Sequence, residues 1–206
     1  GTTPLPVIKA GGTVRIAGHI NSDRPFNGVA TMTVRDSREL VTCRLNDNTE
    51  AENAFQYYDR PTTIFTGSDS VKAGKFSFSF AVPRDINYSN GNGLINVYAV
   101  NDDHDHIVHG SCDRFLVGGS AELTNDSIGP SIYCYLNSPS FENGGRVNST
   151  PYFVARLTDK DGINVSGSGI GHNLELIIDG DMNKTYVLND NFQYEFGSYT
   201  SGSTYY

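Results

Sequence analysis

Phe76-Ser77-Phe78-Ser79-Phe80-Ala81-Val82 places an apolar residue at every second position. An extended chain sends successive side chains to opposite faces, so this spacing commits Phe76, Phe78, Phe80 and Val82 to one side and the small residues to the other. The preceding Val71-Lys72-Ala73-Gly74-Lys75 supplies a turn. The stretch reads as a half-buried strand. Burying each of its four inward side chains contributes about 1.5 to 3 kcal/mol, so one strand supplies a gross term as large as the roughly 5 to 15 kcal/mol net stability of a domain.

Outward from this strand, residues 14–20, 29–34, 40–45, 62–66, 94–100 and 114–117 are further apolar or period-two segments. None of the intervening stretches sustains a helical stripe, and Gly and Pro recur too often for long helices. Residues 46–60 are expected as a helical turn or a loop. Seven short strands in the first 118 residues, with turn signals between them, predict an antiparallel immunoglobulin-like β-sandwich. Composition shifts at Gly118-Gly119-Ser120, and Pro130 opens a new apolar run at Ile132. The fold class expected is therefore all-β, with two immunoglobulin-like antiparallel β-sandwich domains. Their expected bounds are residues 1–118 and 131–206, joined by a linker over 119–130.

The second unit offers strands at residues 131–136, 152–157, 174–178 and 186–188, and another beginning near Ser203. It is too short for a complete sandwich, which predicts an exposed apolar face and an unpaired edge. That edge is expected to be covered by the first domain, by a second copy of the chain or by swapping.

The 206-residue chain has 15 basic and 23 acidic residues, a formal charge of -8, so electrostatics oppose a nucleic-acid or anionic-lipid partner. No stretch approaches the roughly 20 apolar residues of a membrane-spanning helix, and direct membrane insertion is not expected. The start Gly1-Thr2-Thr3-Pro4 lacks the regions of a signal peptide. The chain reads as an excised piece, with any export signal or anchor lying outside it.

Three cysteines, Cys43, Cys112 and Cys134, exclude a dense disulfide framework and leave at least one thiol unpaired within the chain. A Cys43 to Cys112 bridge is compatible with the first domain. Cys134, alternating with Ile132 and Leu136, is expected as a small buried residue.

The most tempting constellation is Asp102-Asp103-His104-Asp105-His106-Ile107-Val108-His109. On an extended chain His-x-His directs two imidazoles to one side, and neighbouring carboxylates add ligands, which makes His104, His106 and His109 candidate metal ligands. A polar turn between two strands explains the same residues and is the preferred reading. Asp159-Lys160-Asp161-Gly162 begins like a calcium loop, with Asp159 and Asp161 as candidate ligands. The distal Glu and the spacing of further oxygens are missing, so a turn is preferred here too. Asn125-Asp126 is a candidate extra ligand in the linker. No metal ligand is assigned.

Cys112 lies three residues from His109, but nucleophilic activation needs an oriented base and oxyanion donors, so no catalytic residue is assigned. Gly167-Ser168-Gly169-Ile170-Gly171 lacks the strand, helix and α/β context of a dinucleotide loop, and no cofactor is expected. Its glycines are read as permitting a loop that leads His172 into a strand. Asn148-Ser149-Thr150 and Asn183-Lys184-Thr185 match the glycosylation pattern, which matters only in a glycosylating secretory context.

An ordered series remains. It comprises Gly74-Lys75-Phe76-Ser77-Phe78-Ser79-Phe80, Val82-Pro83-Arg84-Asp85-Ile86-Asn87-Tyr88, Gly91-Asn92-Gly93, Tyr98-Ala99, Phe115-Leu116-Val117-Gly118-Gly119, Gly129-Pro130, Gly162-Ile163-Asn164, Gly169-Ile170-Gly171-His172 and Tyr186-Val187-Leu188-Asn189-Asp190. From about Val14 onward this resembles the region that follows the peptidase domain in the PorU family, the gingipain-like cysteine peptidases and sortases of the Bacteroidetes type IX secretion system. The last two motifs are the most specific.

The resemblance implies an exported protein at the cell surface, in the outer membrane of a Bacteroidetes bacterium. The parent would remove the C-terminal signal of cargo and join the new carboxyl end to a lipopolysaccharide-linked anchor. It also implies that the catalytic Cys and His lie in an upstream module, that this piece is inactive alone, and that the family chain continues past Tyr206. The segment from His104 to Cys112 departs from the family pattern. The function expected is a non-catalytic module that positions the upstream peptidase domain of the same polypeptide or contacts secretion-system proteins or cargo, with self-association through the truncated second domain. The alternative is an independent cell-surface adhesion or carbohydrate-binding sandwich, in which Tyr57, Tyr58, Tyr133, Tyr135 and the terminal tyrosines stack on sugars.

Overall fold

The computed structural model describes residues 4–43, 54–122, 128–166 and 173–206. The first unit contains strands β1 (Val7–Ala10), β2 (Thr13–His19), β3 (Gly28–Arg35), β4 (Glu39–Thr42), β5 (Gln56–Asp59), β6 (Thr63–Val71), β7 (Lys75–Ala81), β8 (Gly91–Asn92), β9 (Leu94–Asn101), β10 (Ile107–Cys112) and β11 (Leu116–Ser120). Among the described residues there is no α-helix, in keeping with the all-β expectation.

Sheet β10-β9-β3-β6 forms one wall of a sandwich. Strands β2 and β7, with the β1-β11-β8 sheet, supply the inner residues of the other. The alternation at residues 76–82 does what its spacing predicts, since Phe78 and Phe80 are buried and their neighbours Ser77 and Ser79 are not. Facing them, Ala30, Met32 and Val34 of β3 are fully buried at the same period of two. A register shift between Val34 and Arg35 skips Ile64, so the consecutive residues Ile64 and Phe65 are both buried.

The β6 to β7 connection is a two-residue turn. Lys72 and Lys75 exchange backbone hydrogen bonds at 2.9 Å in both directions, and Ala73 and Gly74 between them have φ of 49° and 74°. Two positive φ values define the turn whose twist matches a hairpin, and Gly74 adopts its value without steric cost.

The second unit contains β12 (Ser131–Leu136), β13 (Phe153–Thr158), β14 (Glu175–Ile177), β15 (Thr185–Val187), β16 (Gln193–Tyr194) and β17 (Ser201–Tyr205), plus 3-10 turns at Met182–Lys184 and Asn189–Asn191. Its sheet runs β12-β13-β17-β16. The fully buried cluster is small, comprising Ala155, Leu157 and Ile163, with Phe153, Val165, Leu174, Phe192 and Tyr194 packed around it.

Several expectations need correction. Residues 56–59 are a strand paired with β4, not a helical turn, while 46–53 lie outside the described residues. The polar turn after β9 ends by His106, and residues 107–112 form a regular strand. Strand β6 runs to Val71, well beyond 66, because ladder pairing with β3 continues through Gly67-Ser68-Asp69-Ser70 without apolar alternation. Cys134 is exposed, because β12 is an edge strand whose core-facing side is only partly covered. All three cysteines are free, so the Cys43 to Cys112 bridge does not form.

Truncating Phe78 to alanine, at 3% exposure and in edge contact with Phe65 and Phe76, should cost about 3–5 kcal/mol of unfolding free energy. The same change at the partly exposed Phe76 should cost less. Urea denaturation of both variants checks the order.

Candidate functional site

Among the described residues, those singled out for chemistry do not converge. His104 sits in a left-handed conformation, φ 58°, with its Nδ1 2.9 Å from the Asp102 carbonyl oxygen. The His106 ring packs edge-on against Phe26 at 5.8 Å, and the Asn101 side chain ties down Asp105 and the backbone N–H of His106. A turn therefore replaces the extended His-x-His geometry. His109 lies in β10, and Cys112 three residues on in an extended strand points to the opposite face.

The Asp159 Oδ1 accepts the Asp161 backbone N–H at 2.9 Å, and Asp161 Oδ2 lies 2.6 Å from Lys160 Nζ. Asp159 thus organises a turn and Asp161 faces a cation. Among the described residues no three His, Cys, Asp or Glu side chains are gathered for a metal ion. Asn125, Asp126, the Gly167 to Gly171 loop and His172 lie outside the described residues.

What the fold does gather is the junction between the two units. Tyr194 of β16 lies 5.3 Å from the Phe65 ring, and Phe65 stacks on Phe80 at 4.8 Å. The Tyr194 hydroxyl donates to the Ile163 carbonyl oxygen in its own unit. Burial pushes that phenol well above the ordinary tyrosine range. Beside it the Gly197 N–H donates to the Ser68 carbonyl oxygen of β6 at 2.9 Å, and Tyr199 also packs against the first core. The second unit thereby covers the flank of the sandwich where β6 and β7 are edge strands.

A polar layer lies at one end of this junction. Asp85, in the loop after β7, accepts from Ser166 Oγ at 2.8 Å and from Asn164 Nδ2 at 3.4 Å. The same loop is held to β3 by Asp36, which is 1% exposed and accepts the backbone N–H groups of Ser37 at 2.6 Å and Asn87 at 2.7 Å. Burial raises the Asp36 carboxyl above its ordinary value, opposed by those two hydrogen bonds.

Two quoted motifs acquire structural roles here. Asn189 accepts the Leu174 N–H at 2.8 Å and donates to the Val165 carbonyl at 3.3 Å, and buried Thr204 donates to the Leu188 carbonyl at 2.8 Å. A Cβ at Gly118 would meet the Asn90 side-chain oxygen at 2.3 Å, so only glycine lets β11 pass there. These groups hold loops and strand ends in place. Sequence reading missed Asp36, Asp85 and Tyr194, whose partners lie 31 to 129 positions away, and only the Asp-Ser pair at 36–37 offered a local turn signal.

No protein-family model and no curated protein matches this chain. Among solved structures, dimeric latent PorU from Porphyromonas gingivalis matches over 98% of this chain with a TM-score of 0.62 and 32% sequence identity. This chain is similar to a segment of PorU. It spans 19% of the PorU chain it matches, so most of PorU has no counterpart here. The similarity covers both units of the fold.

Tyr194→Phe keeps the ring against Phe65 but leaves the Ile163 carbonyl without its hydroxyl donor, and should cost about 1–3 kcal/mol. Tyr194→Ala, which also empties the ring site, should cost about 3–5 kcal/mol, and urea melts of the two variants compare these losses. A raised carboxyl pKa means that the fold holds the Asp36 proton more tightly than the unfolded chain does. The stability of the wild type relative to Asp36→Asn should therefore increase as pH falls through the raised pKa and level off below the ordinary value of 3.8. Thermal melts across that range check the sign.

Proposed function

We propose that this chain is a non-catalytic β module of a PorU-like C-terminal signal peptidase and sortase of a type IX secretion system. The single observation that carries this reading is the 32% identity to PorU across 98% of the chain. The parent protein is exported and displayed at the outer-membrane surface of a Bacteroidetes bacterium. The module positions the upstream peptidase domain of the same polypeptide or contacts cargo and secretion partners. Its domains are two sandwiches joined near residues 119–130, and bond-making chemistry belongs to a separate part of the parent. Support for a positioning role comes from the junction, whose buried polar groups are engaged in holding loops.

The PorU of the solved structure is dimeric and latent. In this chain β12 pairs on one side only among the described residues, and Ile132, on the core-facing side of its sheet, is 58% exposed. β12 is thus the edge through which this module would self-associate.

A second reading has one specific observation in its favour. Tyr133, Tyr152 and Tyr205 are exposed on the outer face of the β12-β13-β17 sheet, with Tyr152 stacked on Tyr205 at 5.5 Å, whereas Tyr135 is buried, its ring 5.6 Å from the Arg156 guanidinium. Such a platform suits a carbohydrate ring, as in an independent surface adhesin.

The test joins the purified chain to affinity capture from Bacteroidetes envelope extracts, with a glycan array in parallel. Recovery of type IX components with a blank array is the expected outcome, whereas array binding lost in Tyr133→Ala favours the adhesin. Peptidase activity of the isolated chain, abolished in Cys112→Ser, would contradict both.

A further inference from the structure

The two flanks of the first sandwich are treated differently. The β6 and β7 flank is covered by Tyr194, Tyr199 and Gly197 of the second unit. On the opposite flank β2 pairs only with β7 and β10 pairs only with β9 among the described residues. Between β2 and β10 lies an open gap of about 610 Å³, lined mainly by Ile16, Phe76, Ile95, Val97, Val108 and Cys112. That volume falls in the range of ligand sites.

The edge beside the gap has a defined hydrogen-bonding phase. The Asn101 N–H donates to the His106 carbonyl oxygen at 3.1 Å, and β10 then pairs with β9 in unbroken register from Ile107 to Cys112. In an antiparallel ladder alternate residues bond to the partner, so Ile107, His109 and Ser111 direct their N–H and C=O groups outward. Edge strands are ordinarily protected by Lys, Pro or a bulge, and β10 has none of these. Its inward positions are Val108, Gly110 and Cys112, and a Cβ placed on Gly110 would meet nothing within 4 Å. Unfilled apolar space and a free ladder therefore lie side by side.

We propose that the β2–β10 gap accepts an extended segment of a separate polypeptide, which pairs with the edge of β10 and sends alternate apolar side chains between the sheets. The chemistry selects this occupant. Only a peptide backbone offers donors and acceptors at the spacing that Ile107, His109 and Ser111 present, and period two delivers apolar side chains into the gap while the others face water. A folded second copy of this chain is the competing occupant, and exchange measured without peptide separates the two.

The test uses the 206-residue chain and a synthetic eight-residue peptide that alternates valine and phenylalanine with threonine. A control peptide of the same sequence is N-methylated at alternate amides. Calorimetric titration should show saturable binding that weakens about tenfold or more with the methylated peptide. Amide exchange at Ile107, His109 and Ser111 should slow on binding.

Gly110→Val fills the gap without displacing a neighbour, and His109→Pro removes one outward donor at an edge position that tolerates proline. Both variants should stay folded and lose binding by about tenfold or more. Undetectable binding, equal binding of the two peptides, equal binding by Gly110→Val, or protection confined to residues 131–136 would overturn the proposal. Concentration-dependent protection of β10 without peptide would overturn it in favour of edge pairing between copies.

Discussion

The contact between Phe65 and Tyr194 organises this molecule. Phe65 stacks on Phe80 inside the first sandwich and receives the Tyr194 ring from the second unit, so one aromatic column belongs to both. Among the described residues the second unit has a buried cluster of just three apolar residues, Ala155, Leu157 and Ile163. A core that small is a weak source of stability. Its attachment to the first unit through Tyr194, Tyr199 and the Gly197 to Ser68 hydrogen bond supplies burial that its own sheet lacks. The dependence runs both ways, because the same residues close one flank of the first sandwich.

Strands that alternate were readable in the sequence. Phe76 to Val82 declared its inward face through its spacing, and the turn before it through Ala73-Gly74. Strands whose pairing rather than composition defines them were not. Residues 67–70 are Gly, Ser, Asp and Ser, yet they continue β6 because β3 offers a full ladder. The short β1 gives no periodic signal and finds its place only by parallel pairing with β11, 109 positions later. Cys134 misled because alternation was equated with burial, whereas an edge strand can present the right face to a core that does not reach it.

The functional candidates divide in the same way. Motifs rich in Asp, His and Gly attracted ligand readings, but their side chains are used within a turn or two of where they stand. His104 bonds to the Asp102 carbonyl, and Asp159 caps its own turn. The residues that hold the architecture were quiet in the sequence. Asp36 and Asp85 look like ordinary turn acids, and their partners become visible only when distant segments meet. The motifs that carry the resemblance to PorU behave likewise, for Gly118 and Asn189 secure backbone paths. Such positions record a shape, which is consistent with a scaffold.

The two units act as one mechanical piece, with the Phe65–Tyr194 column as the shared core. Differential scanning calorimetry tests this most directly. One transition whose calorimetric and van't Hoff enthalpies agree is the predicted result. Two separable transitions in the wild-type chain, each with the enthalpy of an independently folded domain, would contradict it.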